Sequence, residues 1–133
     1  MRIQAFTEYA VAILRYLYMH QNGLQAGVHI AKEVGISYSI FLTIAVQLRR
    51  KGLLVSVRGQ NGGFALGRPA TEISFYDVFL CIEEELCISR SLRIGQEDAD
   101  DAVHDGKVHE FLQTWQDKMI AEMSGKSIAD LAS

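Results

Sequence analysis

The chain has two cysteines in 133 residues, and they stand six positions apart. That is too few and too close for a disulfide framework. No apolar run approaches the roughly 20 residues that span a bilayer. The opening Met1-Arg2-Ile3-Gln4-Ala5-Phe6 lacks the apolar core and small-residue cleavage site of a secretory leader. A reducing, cytoplasmic setting with no membrane partner is therefore expected. Signatures of common active sites are missing as well: there is no P-loop, no dinucleotide-binding glycine pattern, no nucleophile elbow and no zinc-ligand spacing. Glu83-Glu84-Glu85 and the scattered acids after residue 97 read as solvated surface or loop rather than a catalytic pair. No enzyme is expected.

Charge is present in both signs, but it is sorted. Residues 1–69 hold eight basic side chains (Arg2, Arg15, Lys32, Arg49, Arg50, Lys51, Arg58, Arg68) against Glu8 and Glu33, a net of +6. The whole chain is −3, so the remainder carries −9. A basic half beside an acidic half suits a protein that attracts phosphates on one face only.

The basic half also has a distinctive pattern. Thr7 is a candidate cap for a helix running to about Gln21, with Ala10, Ile13, Leu14 and Leu17 as its inward stripe. Asn22-Gly23 ends it. A short second helix fits Val28–Val34, with Gly27 at its N-cap, and Gly35 supplies a turn. A third helix is predicted from Ser37 to Lys51, stopped by Gly52. Then comes Leu53-Leu54-Val55-Ser56-Val57-Arg58-Gly59-Gln60-Asn61-Gly62-Gly63-Phe64-Ala65-Leu66, two short strands around a Gly-rich turn. Asn61-Gly62 predicts a tight hairpin whose central residues both take φ > 0. Three helices followed by a basic hairpin make a winged helix-turn-helix.

Beyond residue 69, Ser74 caps a fourth helix from Phe75 to about Leu86. It is apolar nearly all round, as a helix buried between subunits would be. An acidic stretch, Ser89–Asp101, reads as loop. A long helix is predicted from about Ala102 to Met123, with Val108, Phe111, Leu112, Trp115, Met119 and Met123 in one stripe. That stripe is too long for the head to cover, so a homodimer is expected, with these six residues at its interface. The tail, Ser127–Ser133, either folds back or frays. The expected class is mainly α with a small β-hairpin wing: a winged helix-turn-helix head over residues 1–69, a buried helix and acidic loop over 70–101, and a dimerisation helix with its tail over 102–133.

Several of these segments together resemble one bacterial family. They are Tyr9-Ala10, Val34-Gly35-Ile36-Ser37, Leu48-Arg49-Arg50-Lys51-Gly52-Leu53, the wing Ser56–Gly63 and the closing Ser127-Ile128-Ala129-Asp130-Leu131. The family is the Rrf-two family of winged helix-turn-helix regulators, of the IscR, NsrR and CymR type. The resemblance implies a homodimeric transcription factor that dimerises through its long C-terminal helix and binds partly palindromic double-stranded promoter DNA.

On the third helix, Phe41, Ile44, Ala45 and Leu48 share a face that should pack on the first helix. The opposite face shows Ser39, Thr43, Val46 and Arg50, flanked by Ile40, Leu42 and Gln47, and is the surface expected in the major groove. Gln47 suits an adenine edge; Thr43 offers a hydroxyl or a contact to a thymine methyl. Ser37, Tyr38 and Ser39 fall where phosphates and the first bases would be met. Ile40, Leu42 and Val46 are unusual on a solvent face: either they read methyl groups or the second helix half covers them. The resemblance makes Arg58 the wing arginine that enters the minor groove, with Gly59, Gln60, Asn61 and Gly62 at the sugar–phosphate edge. Arg49, Arg50 and Lys51 are candidates for phosphate contacts.

For many members the resemblance implies an iron–sulfur cluster on three cysteines before the dimer helix. Counted back from the closing motif, these should fall near Ile94, Asp100 and Gly106, none of which is cysteine. His109 stands where one branch of the family has a histidine ligand. No cofactor is therefore expected. The alternatives are a cluster or redox sensor using Cys87, with His109 as a second sensor candidate, control by a small effector or a partner protein, or a winged helix that binds protein instead of DNA.

Overall fold

Thr7 does not cap the first helix. In the computed structural model, which describes residues 3–84, 86, 92 and 106–132, helix α1 runs Ala5–Met19 with Gln4 at its N-cap. Thr7 lies inside the first turn, fully buried, and its hydroxyl donates to Glu83 Oε2 at 2.7 Å. A partner 76 residues away therefore claims the hydroxyl expected to hold the helix end. The inward stripe is as expected: Ala10, Ile13, Leu14 and Leu17 are all buried.

Helix α2 spans Gly27–Val34 and α3 spans Tyr38–Arg50, with the chain turning 108° between them. That angle lies in the helix-turn-helix range. Ser37 caps α3 by accepting from the Ile40 N–H at 3.1 Å. Phe41, Ile44, Ala45 and Leu48 bury the inner face of α3. At its C-terminal end Gly52 takes φ 75°, and the Leu53 N–H reaches back to the Leu48 carbonyl at 3.0 Å. This is a left-handed helix stop, which glycine adopts without the Cβ penalty, and it sends the chain straight into the wing.

Strands β1 (Leu54–Val57) and β2 (Gly63–Leu66) pair antiparallel, with Leu54 opposite Leu66 and Val57 opposite Gly63. The turn is not the two-residue Asn-Gly type. Five residues, 58–62, lie between the strands, and a β-turn is closed by the Gly62 N–H on the Gly59 carbonyl at 3.0 Å. Neither Asn61 nor Gly62 has φ > 0. Gly62 is needed for space instead: a Cβ there would overlap the Val57 carbonyl. A third short partner joins this sheet from the other side, where Gln25 exchanges two backbone hydrogen bonds with Phe64 at 2.9 and 2.8 Å. The wing is thus tied to the segment that enters α2.

After a single 3-10 turn, Ala70–Glu72, helix α4 runs Phe75–Glu83, shorter than expected. Ser74 and Asp77 form a reciprocal capping box, and Glu84 ends the helix at φ 65°. Val78, Phe79, Cys81 and Ile82 are buried, and α4 packs on α1 and α3. Helix α5 spans Gly106–Ser124 and packs on α4; the expected start near residue 102 lies outside the described residues. The tail folds back as α6 (Ile128–Ala132), against α1. It is fastened by the Ile128 N–H on the Ile73 carbonyl (2.8 Å) and the Phe75 N–H on the Lys126 carbonyl (2.7 Å). Ser127 and Asp130 make a second reciprocal cap, and hydrogen bonds from Ser127 hold the Asp130 carboxyl below its usual range. Ile128 is fully buried in the same hydrophobic cluster as α1, α3 and α4. The head expected over 1–69 thus shares its core with residues from α4 and α6.

Candidate nucleic-acid interface

The capped start and glycine stop of α3 fix which of its faces looks outward. Ser39, Thr43 and Arg50 are exposed, and so are Leu42 (40%) and Val46 (38%). Ile40 is half-buried. Between α3 and the wing runs an open groove of about 560 Å³. Its α3 wall is Tyr38, Leu42, Val46 and Arg49, spaced at helical turns. Its wing wall includes Val57, Arg58, Gly59, Gln60 and Gly62. Tyr38 is anchored at the groove mouth by stacking on Phe41, ring centroids 6.1 Å apart, and Phe41 in turn meets Phe64 edge-on at 5.0 Å. The aromatic trio ties α3 to the wing strand, so packing sets the width of the groove.

Most of the residues expected to touch nucleic acid lie on this side of the molecule. Ser37 is exposed, its side chain engaged as a cap. Asn61 is exposed at the wing tip. Thr43 is exposed, but its hydroxyl donates to the Ser39 carbonyl at 3.1 Å. Gln47 differs: it is half-buried in a separate cleft of about 320 Å³ with Arg50, Lys51, Leu80, Cys81 and Glu84. Its Oε1 is buried and accepts no hydrogen bond. Helix α4 covers that side of α3, so Gln47 is not on the groove. Arg49, expected only at phosphates, lines the groove instead; the signal for it is its helical spacing from Tyr38, Leu42 and Val46.

Positive charge frames this surface. Arg68 is held by Asp77 at 3.2 Å in a surface pair, whereas among the described residues none of Arg49, Arg50, Lys51 and Arg58 is in an ion pair. These four remain available to an external anion.

The sensor candidates are placed less completely. Cys87 lies outside the described residues. His109 is exposed on the first turns of α5. Among the described residues no three His, Cys, Asp or Glu side chains converge on a metal site. Cys81 is a single buried thiol, pushed up from 9.0 to about 11 chiefly by burial, with Lys51 acting the other way. On α5, Phe111 (67%), Trp115 (50%) and Val108 (40%) are exposed, with Leu112, Met119 and Met123 half-buried along the same stripe. The buried residue of α5 is Gln116.

A helix-turn-helix, a wing and an unpaired basic rim are also the features of known regulators. The Rrf2 family, described as an iron-dependent transcriptional regulator, matches residues 3–133. The chain belongs to the Rrf2 family. A Mycobacterium tuberculosis (strain H37Rv) protein assigned by name to the HTH-type transcriptional regulators is 31% identical over 99% of this chain and 81% of its own length. Protein aau3 of Rhizobium meliloti is 36% identical over 74% of this chain, a match that spans 64% of that relative's length. Solved structures share the fold at lower identity. CymR of B. subtilis, titled the global cysteine regulator, superposes with a TM-score of 0.76 at 23% identity, over 99% of this chain and 96% of that one. IscR of T. potens gives 0.73 at 20%, over 98% and 85%. A transcriptional regulator structure from Listeria innocua gives 0.81 at 20%, over the same shares. As an Rrf2 protein the chain is a transcriptional regulator and not an enzyme. Among the described residues no donor set for the family's printed iron dependence converges, and the described cysteine, Cys81, is buried.

Proposed function

We propose that this Rrf2 protein is a sequence-specific DNA-binding regulator that acts as a homodimer, with α3 in the major groove and the wing in the minor groove. The observation that carries this reading is the groove between α3 and the wing, lined by Arg49 and Arg58, with Arg50 and Lys51 beside it at the end of α3; among the described residues none of the four is in an ion pair. In this reading Ser37, Tyr38, Ser39 and Thr43 meet the first bases and phosphates. Arg50 and Lys51 contact the backbone from the C-terminal end of α3. Arg58 enters the minor groove beside Gly59, Gln60, Asn61 and Gly62, favouring a narrow A·T-rich stretch. Gln47 takes no part, because α4 encloses it. The apolar stripe of α5 supplies the dimer contact. Control of binding falls to a small effector or a partner protein, with no resident cofactor.

Selection of genomic fragments by the purified protein at near-physiological salt tests this. The expected result is a two-fold related motif with half-sites about one helical turn apart, or a multiple of it. Failure to retain any duplex, even at low salt, would overturn the DNA-binding reading and favour a protein partner for the winged helix.

A further inference from the structure

We propose that the recognition helix reads its operator chiefly through thymine methyl groups, with Leu42 and Val46 as the side chains that touch them. This rests on the DNA-binding reading above and adds the chemistry of the preferred bases. The recognition helix has almost nothing with which to read a base edge by hydrogen bonds. Between Tyr38 and Arg49 the sequence holds no arginine, lysine or asparagine. Gln47 is the one amide there, and it is turned into the cleft under α4 with its Oε1 buried. The Thr43 hydroxyl is engaged by the Ser39 carbonyl, so its donor is used within the helix. On the groove wall Tyr38 and Arg49 stand at the two ends of the α3 stripe, and the large side chains between them are apolar: Leu42 and Val46 are 40% and 38% exposed and stand one turn apart.

Two large apolar side chains held in water on the most basic part of a protein need an apolar target inside an anionic partner. B-form DNA presents one such group in its major groove, the C5 methyl of thymine. Arg49 and Arg58 on this groove, with Arg50 and Lys51 at the adjoining end of α3, supply the charge complementarity that brings the duplex there. Leu42 and Val46 are one helical turn apart, about 6 Å along the axis. Two base-pair steps cover a similar distance at about 3.4 Å each. Each half-site is therefore expected to carry two thymines, on either strand, about two steps apart.

The test takes the sequence most enriched from a random-core duplex library by the full-length protein. That duplex is synthesised with thymine or with uracil at each position of the half-site. Uracil removes the methyl and keeps every hydrogen-bonding group. The expected result is about fourfold weaker binding at each of two positions, corresponding to one buried carbon per contact. Leu42→Ala should abolish the uracil effect at one position and Val46→Ala at the other; both residues are exposed, so neither change should lower the melting temperature. Equal affinity for thymine and uracil duplexes overturns the inference. So does an undiminished uracil effect in both variants, which would assign it to another side chain such as Thr43 or to DNA shape. Binding with no preferred sequence overturns it too, and with it the sequence specificity of the reading above, leaving only non-specific DNA binding. Absence of all binding refutes that reading itself.

Discussion

Two buried side chains show how position decides what a reactive or polar group does. Cys81 sits on α4 between the core and the Gln47 cleft, and its thiol is raised to about 11 chiefly because burial penalises the thiolate. The folded state therefore favours the protonated form more than the unfolded chain does. Any stability this lends is complete below 9.0 and is lost as pH rises through about 11. Brief iodoacetamide treatment at pH 7.5 should leave Cys81 unmodified by mass spectrometry, with alkylation appearing once the chain is unfolded. Rapid labelling of Cys81 in the native protein, distinguished from Cys87 by peptide mapping, would contradict a buried thiol. Thr7 is the second case. Its hydroxyl ties α1 to Glu83 at the end of α4, and a hydrogen bond to a charged group contributes about 1.5–3 kcal/mol. Thr7→Val keeps the shape and leaves Glu83 without this donor, so it should lower the melting temperature by several degrees, whereas Thr7→Ser should retain most of the stability. Equal melting of the valine variant and the parent protein would remove the bond from the account.

The elements differ in how they can be read from sequence. Helix α3 was legible because its signals are local: Ser37 to cap it, a 3.6-residue apolar period, and Gly52 to stop it. The wing was legible as a hairpin and misread as a turn. Asn61-Gly62 is the usual mark of a two-residue loop, but the dipeptide carries no information about the Val57 carbonyl that packs over Gly62. The Gln25 partner of Phe64 was invisible, since one bridging residue has no period to detect. Gln47 was assigned to the right helix and the wrong surroundings, because the position of α4 over that side of α3 depends on long-range packing. The wing's chemistry can be separated from that of the helix end. Arg58→Ala should weaken binding by about 1–3 kcal/mol and relax a flanking A·T preference. Lys51→Ala should lower the salt dependence for all sequences by about one phosphate contact, roughly 0.9 in slope. If Arg58→Ala leaves both affinity and preferred site unchanged, the wing is not in the minor groove. If Lys51→Ala weakens binding to one site alone, it is not a phosphate contact.

At the scale of the molecule, the two ends of the described chain meet, while α5 keeps an apolar stripe in water. Helix α6 returns to the head and buries Ile128 against it, a contact worth about 1.5–3 kcal/mol for the side chain alone. Both ends of the sequence thereby share one core, and α5 is held at its C-terminal end as well as by α4. Yet Phe111 and Trp115, one turn apart, are left 67% and 50% exposed on that well-anchored helix. Exposed aromatic pairs on a rigid element are the usual anchors of an interface. A second copy meeting the same stripe would cover them, with two-fold symmetry placing two α3 helices on one face of a duplex. Phe111→Glu adds a charge where one protomer already meets water, so it should not disturb the fold of the single chain. It should shift the molar mass, measured by light scattering, from a dimer to the 14.9 kDa of one chain. Affinity for a two-half-site duplex should fall by about a hundredfold or more through loss of bivalency, the lower end of the gain expected from linking two sites. Affinity for an isolated half-site should stay the same. A wild-type mass of 14.9 kDa would overturn the homodimer, and a Phe111→Glu variant that remains dimeric would place the interface elsewhere; either leaves the exposed aromatics of α5 to another partner.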